Sequence, residues 1–122
     1  MRLAVLLVLA LSLAGAVRVS GDASPSGAQR ARVDAAARAW ALAEADYEAG
    51  RATLDSVYLW SRRWLDAERD DKGRAPQSAL TAHQQRMQSL ESLIRARQAQ
   101  STATALDAAA AEFYARESET LR

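Results

Sequence analysis

From Val33 onward the chain repeats in sevens. Val33, Trp40, Tyr47, Leu54 and Ser61 share one register, and Ala36, Ala43, Gly50, Val57 and Trp64 follow them by three residues each. An a/d pattern kept for more than four heptads calls for helix packed against helix. In the first half of the pattern each bulky residue is followed by a tiny one. A partner helix can approach closely there and receive Trp40 and Tyr47 between its own side chains. After Ala28 no segment alternates as a strand does, and β-branched residues are few. The fold class expected is all-α.

Breaks in the backbone divide this pattern. Gly50 is costly inside a helix and favoured just past the end of one. Thr53 then stands as an N-cap, with Asp55 in the first turn where the helix dipole favours a carboxylate. The segment RDDKGRAP, Arg69 to Pro76, combines consecutive charges, a glycine and a proline, and marks a reversal. The next seam runs through Leu80, His83, Met87, Leu90 and Ile94, with Glu91 and Arg95 as an i,i+4 pair. A second break falls at AQSTAT, Ala99 to Thr104, where Thr104 and Asp107 form a capping-box variant. Beyond it the apolar residues resume at Ala103, Leu106, Ala110 and Phe113, and Glu112 and Arg116 form another i,i+4 pair. The spacing predicts helices over about 28–49, 53–70, 77–98 and 104–120.

If the chain folds back near Lys72 and Gly73, Gly50 falls opposite Arg97 and Val57 opposite Leu90. Trp64 then meets His83, and Trp40 meets the alanines around Asp107. Both breaks lie at one height, roughly 30 Å from the turn at 1.5 Å per residue. Two architectures satisfy this layout. One is a coiled-coil-like antiparallel hairpin with kinked arms, and the other is a compact four-helix bundle folded again at both breaks.

The N-terminus predicts the compartment. Met1 and Arg2 precede an apolar run from Leu3 to Leu13 that ends in Ala14-Gly15-Ala16, the pattern of a secretory signal with an A-x-A cleavage site. The run is shorter than the roughly 20 residues of a spanning helix, so no transmembrane segment is expected after cleavage. Residues 1–16 are read as signal peptide, 17–27 as a flexible Gly/Ser/Pro linker and 28–122 as one helical domain. The expected location is the periplasm or the extracellular space. No cysteine is present, so no disulfide can hold the domain and its stability must come from buried helix faces. Without Arg2 the chain has 15 basic and 15 acidic residues. That balance argues against a nucleic-acid partner, which needs a concentrated basic face.

Two family resemblances carry functional expectations. Tyr47, Gly50, Thr53, Val57, Leu65 and Ala67 fall in a Y-x-A-G-x-A-T-x-x-x-V pattern and the helix after it. This resembles the helical repeat of the outer-membrane efflux (TolC-like) family, with a fainter echo in Ala103 to Ala109. The resemblance covers only the helical part, lacks the family's barrel strands, and implies a periplasmic coiled-coil hairpin kinked at the glycine. Leu80-Thr81-Ala82-His83-Gln84 resembles the L-T-x-x-Q motif of Spy/CpxP-like periplasmic stress chaperones and sensors, present here in one copy.

Catalytic chemistry finds little support. His83 is the only histidine, and a metal site needs three or four converging ligands. A core histidine packed under Trp64 is the better reading. Asp66, Glu68, Asp70 and Asp71 cluster beside a charged turn, where carboxylates are solvated. No nucleophile context, haem-attachment motif or glycine-rich phosphate loop occurs. No cofactor and no enzymatic activity are expected. What remains is WSRRW, in which Trp60, Arg62, Arg63 and Trp64 are of the residue types enriched at binding hot spots. These four are the expected partner-binding residues, with Trp60 as the exposed anchor and Trp64 buried. The chain is expected to be a cell-envelope interaction module, joining a protein partner or a second copy through helix–helix contacts, with a stress chaperone as the alternative.

Overall fold

A computed structural model describes residues 26–122, so residues 1–16, expected as a signal peptide, and most of the expected linker lie outside the described residues. Four helices follow one another: α1 (Gly27–Glu48), α2 (Leu54–Ala67), α3 (Gln77–Ala99) and α4 (Ala105–Thr120), with no strand among the described residues. The fold is all-α.

α1 begins at what reads as linker in the sequence. The Ser26 hydroxyl accepts the Gln29 N–H at 3.0 Å, an N-cap that starts the helix at Gly27. Gln29 then reaches across the fold. Its Nε2 donates to the carbonyls of Ala67 (3.4 Å) and Arg69 (3.1 Å), satisfying acceptors left open at the end of α2. α2 stops at Ala67, three residues short of the expected end. The Asp70 carboxylate instead organises the loop, accepting the N–H groups of Arg74 (2.8 Å) and Lys72 (2.9 Å). Those bonds, that of Arg74 foremost, hold its carboxyl below the usual range.

Both weak points are reversals. After α1, Gly50 takes a φ of +73°, its N–H bonds to Tyr47 O (3.0 Å), and Arg51 N–H bonds to Asp46 O (2.7 Å). This is a Schellman cap. The same two bonds close α3, from Ser101 to Gln98 O (3.0 Å) and from Thr102 to Arg97 O (2.8 Å), with Ser101 at φ +59°. A left-handed cap redirects the chain, so α1 folds back on α2 and α3 on α4. Of the two architectures left open by the sequence, the chain takes the bundle, and the glycine ends its helix instead of kinking it.

The two hairpins meet through α2. α2 and α3 stay antiparallel, as the reversal at residues 69–76 requires. α2 and α4 run parallel, with Asp55 bonded to Tyr114 and Tyr58 to Glu117. α1 and α4 do not pack against one another, so Trp40 does not meet the alanines around Asp107. It lies against Trp64, centroids 5.7 Å apart.

The core is Leu54, Val57, Met87, Leu90, Ile94, Ala111 and Tyr114. On α1 the seam holds, with Ala36 and Ala43 buried and Val33, Trp40 and Tyr47 half-buried. On α2 the buried stripe is Leu54, Val57, Ser61 and Leu65, having moved from position 64 to 65. A straight helix drifts from a strict heptad in this direction. On α4 the expected face is displaced. Ala111, Tyr114, Ala115 and Ser118 turn inward, and Leu106 and Phe113 face solvent. The Tyr114 ring stacks on Tyr58 and its hydroxyl bonds to Asp55, which fixes the rotation of the helix. Arg116 accordingly pairs with Glu91 (3.2 Å) and Glu119 (3.1 Å) and not with Glu112. The Glu91–Arg95 pair forms as expected, at 2.5 Å.

Candidate interaction surface

WSRRW lies within α2, a helix with neighbours on three sides, and its residues part company accordingly. Trp60 and Arg63 lie toward the outer side of the α1–α2 pair. Arg62 turns to α4, where its Nη1 meets Glu117 at 3.1 Å. Trp64 turns between α1 and α3, so the four do not form one patch.

The outer side is a groove of about 400 Å³. Ala35 and Ala36 of α1 and Ala67 of α2 line it with small side chains, and Trp60 forms a wall. The Arg63 guanidinium lies over the Trp60 ring, 4.5 Å from its centroid, a cation–π contact that leaves the charge free to meet an anion. Arg32 stands on the α1 side. Neither arginine has a carboxylate partner among the described residues, whereas Asp66 beside them is paired with Arg69 at 3.1 Å. The groove therefore has a small-residue floor, one aromatic wall and two unneutralised cations. Trp60 is half-buried, not a free-standing anchor.

Trp64 is also half-buried, and its companions are Trp40 and Arg86. The Arg86 guanidinium lies 4.1 Å from the Trp64 centroid and 5.6 Å from that of Trp40. Burial lowers the Arg86 pKa, opposed by the charge of Glu68. Glu44, on the rim of the same cleft, has its pKa raised by burial and then by Glu48. Arg86 thus fills the aromatic cleft that a ligand cation would need.

Beneath it lies a polar cluster in the core. Arg86 Nε donates to Ser61 Oγ at 2.7 Å, and Ser61 Oγ is 2.8 Å from His83 Nδ1. The residue that meets His83 is Ser61, one turn before the tryptophan expected there. Ser61 and His83 are fully buried, and His83 Nε2 has no partner among the described residues. Burial, with the nearby Arg86 and Arg62 charges, pushes the imidazole pKa down to about 4, so it is neutral at pH 7. A serine–histidine bond is also the start of a nucleophile–base pair. Here the serine oxygen is buried, Arg86 already donates to it, and among the described residues no carboxylate meets the far nitrogen.

Sequence reading missed Arg32, Ala35 and Ala36 as parts of the groove, because their heptad positions do not mark an outer face. It also missed Arg86, although the register that sets Val57 against Leu90 sets Ser61 against Arg86. In the Leu80–Gln84 segment His83 faces the core and Thr81 is exposed. No group of three or more metal-ligating side chains occurs among the described residues. None of their helices is long and apolar enough to cross a membrane. No family model matches the chain, and no curated protein or solved structure matches it.

Proposed function

We propose that this chain is an exported, non-enzymatic interaction module of the cell envelope that works through helix–helix contact, with the Trp60–Arg63 groove as its docking site. The observation that carries this is the groove: Trp60 and two arginines without carboxylate partners among the described residues, Arg32 and Arg63, around a floor of alanines. Such a surface suits an apolar side chain presented beside an acidic one, the pattern of an amphipathic helix. The signal-like N-terminus supports an envelope setting.

The test places a photo-crosslinking residue at position 63 in cells and recovers the envelope fraction, with position 88 on the far side of α3 as control. A discrete adduct from position 63 and none from position 88 supports the reading. Retention of the protein in the cytoplasm with residues 1–16 intact, or no adduct from position 63, overturns it.

A further inference from the structure

The bundle is two hairpins, α1 with α2 and α3 with α4, and among the described residues α2 is the helix that packs across between them. Leu54 and Val57 of α2 share a core cluster with Met87, Leu90 and Ile94 of α3. Farther along the same seam stand Ser61 and His83, both fully buried. The bonds there fix where the protons sit. Arg86 Nε donates to Ser61 Oγ at 2.7 Å, which leaves the hydroxyl proton for His83 Nδ1 at 2.8 Å. The neutral ring therefore carries its own proton on Nε2. A second proton, added at Nδ1, meets the serine hydroxyl donor to donor. Ser61 must then turn its proton away and accept from two cations at once, since a guanidinium cannot accept.

We propose that the seam between the hairpins is an acid-operated hinge: protonation of His83 parts α2 from α3 and α4 while each hairpin stays helical. Among the described residues no carboxylate bonds to the ring. On α2, Arg62 adds a positive charge, Asp66 is paired with Arg69, and the Tyr58 ring lies 6.5 Å away. On its own helix Arg86 adds a second positive charge. On α4, Glu117 already accepts from Tyr58 and Arg62. Glu68 of α2 acts on Arg86 through its charge, and Glu44 of α1 lines the cleft that holds Arg86. A charged imidazole would thus lie in the core beside two guanidinium groups, with no anion bonded to it, at a high desolvation cost. Parting the hairpins gives the ring to water and leaves intact the α1–α2 and α3–α4 pairs, which are the more extensively packed. It also uncovers Leu54, Val57, Met87, Leu90 and Ile94 together, an apolar stripe that the closed bundle hides.

The chain has no cysteine and one histidine, so an introduced thiol is the sole thiol and His83→Gln removes every imidazole. Val57→Cys puts a thiol in the seam. Ala43→Cys puts one at a buried position of α1, which does not pack on α3 or α4. Labelling by a disulfide reagent is followed from pH 7 to pH 5 and divided by the rate of the urea-unfolded variant at each pH. Burial, then the Arg86 and Arg62 charges, hold the pKa of the closed form at about 4, against the ordinary 6.5 once open. The closed form is therefore most stable above pH 6.5 and weakens toward pH 4, so labelling at position 57 should rise about twentyfold between pH 7 and pH 5. Labelling at position 43 should stay level, and His83→Gln should abolish the rise at position 57. If His83→Gln does not fold, Arg86→Gln takes its place: without that cation the closed form takes up the proton more readily and the rise shrinks. An equal rise at positions 57 and 43 means that the chain unfolds as one unit and overturns the hinge. No rise at position 57, or a rise that these variants leave unchanged, overturns it as well.

Discussion

Tyr58 of α2 and Tyr114 of α4 lie face to face, ring centroids 4.0 Å apart and planes 5° from parallel. Each donates its hydroxyl to a carboxylate on the other's helix, Tyr58 to Glu117 at 2.5 Å and Tyr114 to Asp55. The arrangement is reciprocal, because each carboxylate sits three residues from the tyrosine of its own helix. It joins the two hairpins along a parallel helix pair that has few other contacts.

Removing one half of this clasp should show at high pH. Burial, and then the bond to Glu117, push the Tyr58 pKa up to about 12. The folded state therefore keeps a proton that the unfolded state loses near pH 10. The resulting stabilisation is complete below pH 10 and is lost as pH rises toward 12. Tyr58→Phe should cost about 1–2 kcal/mol at pH 7, with Glu117 retaining Arg62. It should also flatten the alkaline loss. Urea unfolding at pH 7 and near pH 11 measures both, and an unchanged alkaline slope counts against the bond.

His83 should govern the acid side. Its folded pKa, about 4, lies below the ordinary 6.5. The unfolded chain thus takes up a proton first, and stability present above pH 6.5 falls as pH drops toward 4. The groups around it are Ser61, Arg62 and Asp66 on α2, Arg86 on its own helix and Glu117 on α4. His83→Gln should be less stable at pH 7 but should lose the slope between pH 6.5 and 5, above the carboxylate range. If wild type and variant fall in parallel over that interval, His83 is not the group that titrates.

The two left-handed caps predict opposite signs for opposite substitutions. Gly50 meets nothing within 4 Å of an added Cβ, so only its φ of +73° resists a side chain. Gly50→Ala should destabilise by about 1 kcal/mol, the left-handed penalty offset in part by a less flexible unfolded chain. Ser101 bears that penalty already at φ +59°. Ser101→Gly should stabilise by about 0.5–1 kcal/mol. Thermal melts decide it, and a rise in Tm for Gly50→Ala would mean a helix running through the break.

How much of this was legible follows from how each helix is surrounded. The α1 to α3 seams carry large residues at regular spacing, so Leu54, Val57, Met87, Leu90 and Ile94 could be placed inward by counting. α4 could not be read that way. Ala108 to Ala111 give no periodic signal, and Leu106 and Phe113 outweigh Tyr114 in any count of apolar residues. A hydroxyl seeking Asp55 decides the rotation, and that bond exists only once α2 and α4 lie side by side. The candidate surface was half legible for a related reason. Trp60 and Arg63 could be singled out by type, but the alanines and Arg32 opposite them belong to a groove created when the chain reverses at Gly50.

The two tryptophans of α2 should separate in their effects on folding. Both are half-buried, so burial alone does not rank them. Their companions do. Trp64 holds the Trp40 ring and the Arg86 guanidinium, and Arg86 in turn bonds to Ser61 in the polar core. Trp64→Ala removes the stack and frees a partly buried cation above His83. It should cost about 2–4 kcal/mol, within the range of aromatic truncations. Trp60 holds Arg63, which can swing into water, and it borders a groove already open to solvent. Trp60→Ala should cost about 1 kcal/mol or less, in the range of surface substitutions. It should also abolish the adduct from position 63 while leaving the helical circular dichroism unchanged. Melts of the two single variants and photo-crosslinking from position 63 in the Trp60→Ala background measure this. If Trp60→Ala melts as early as Trp64→Ala, the outer ring is part of the core and the groove beside it is a packing seam, not a docking site.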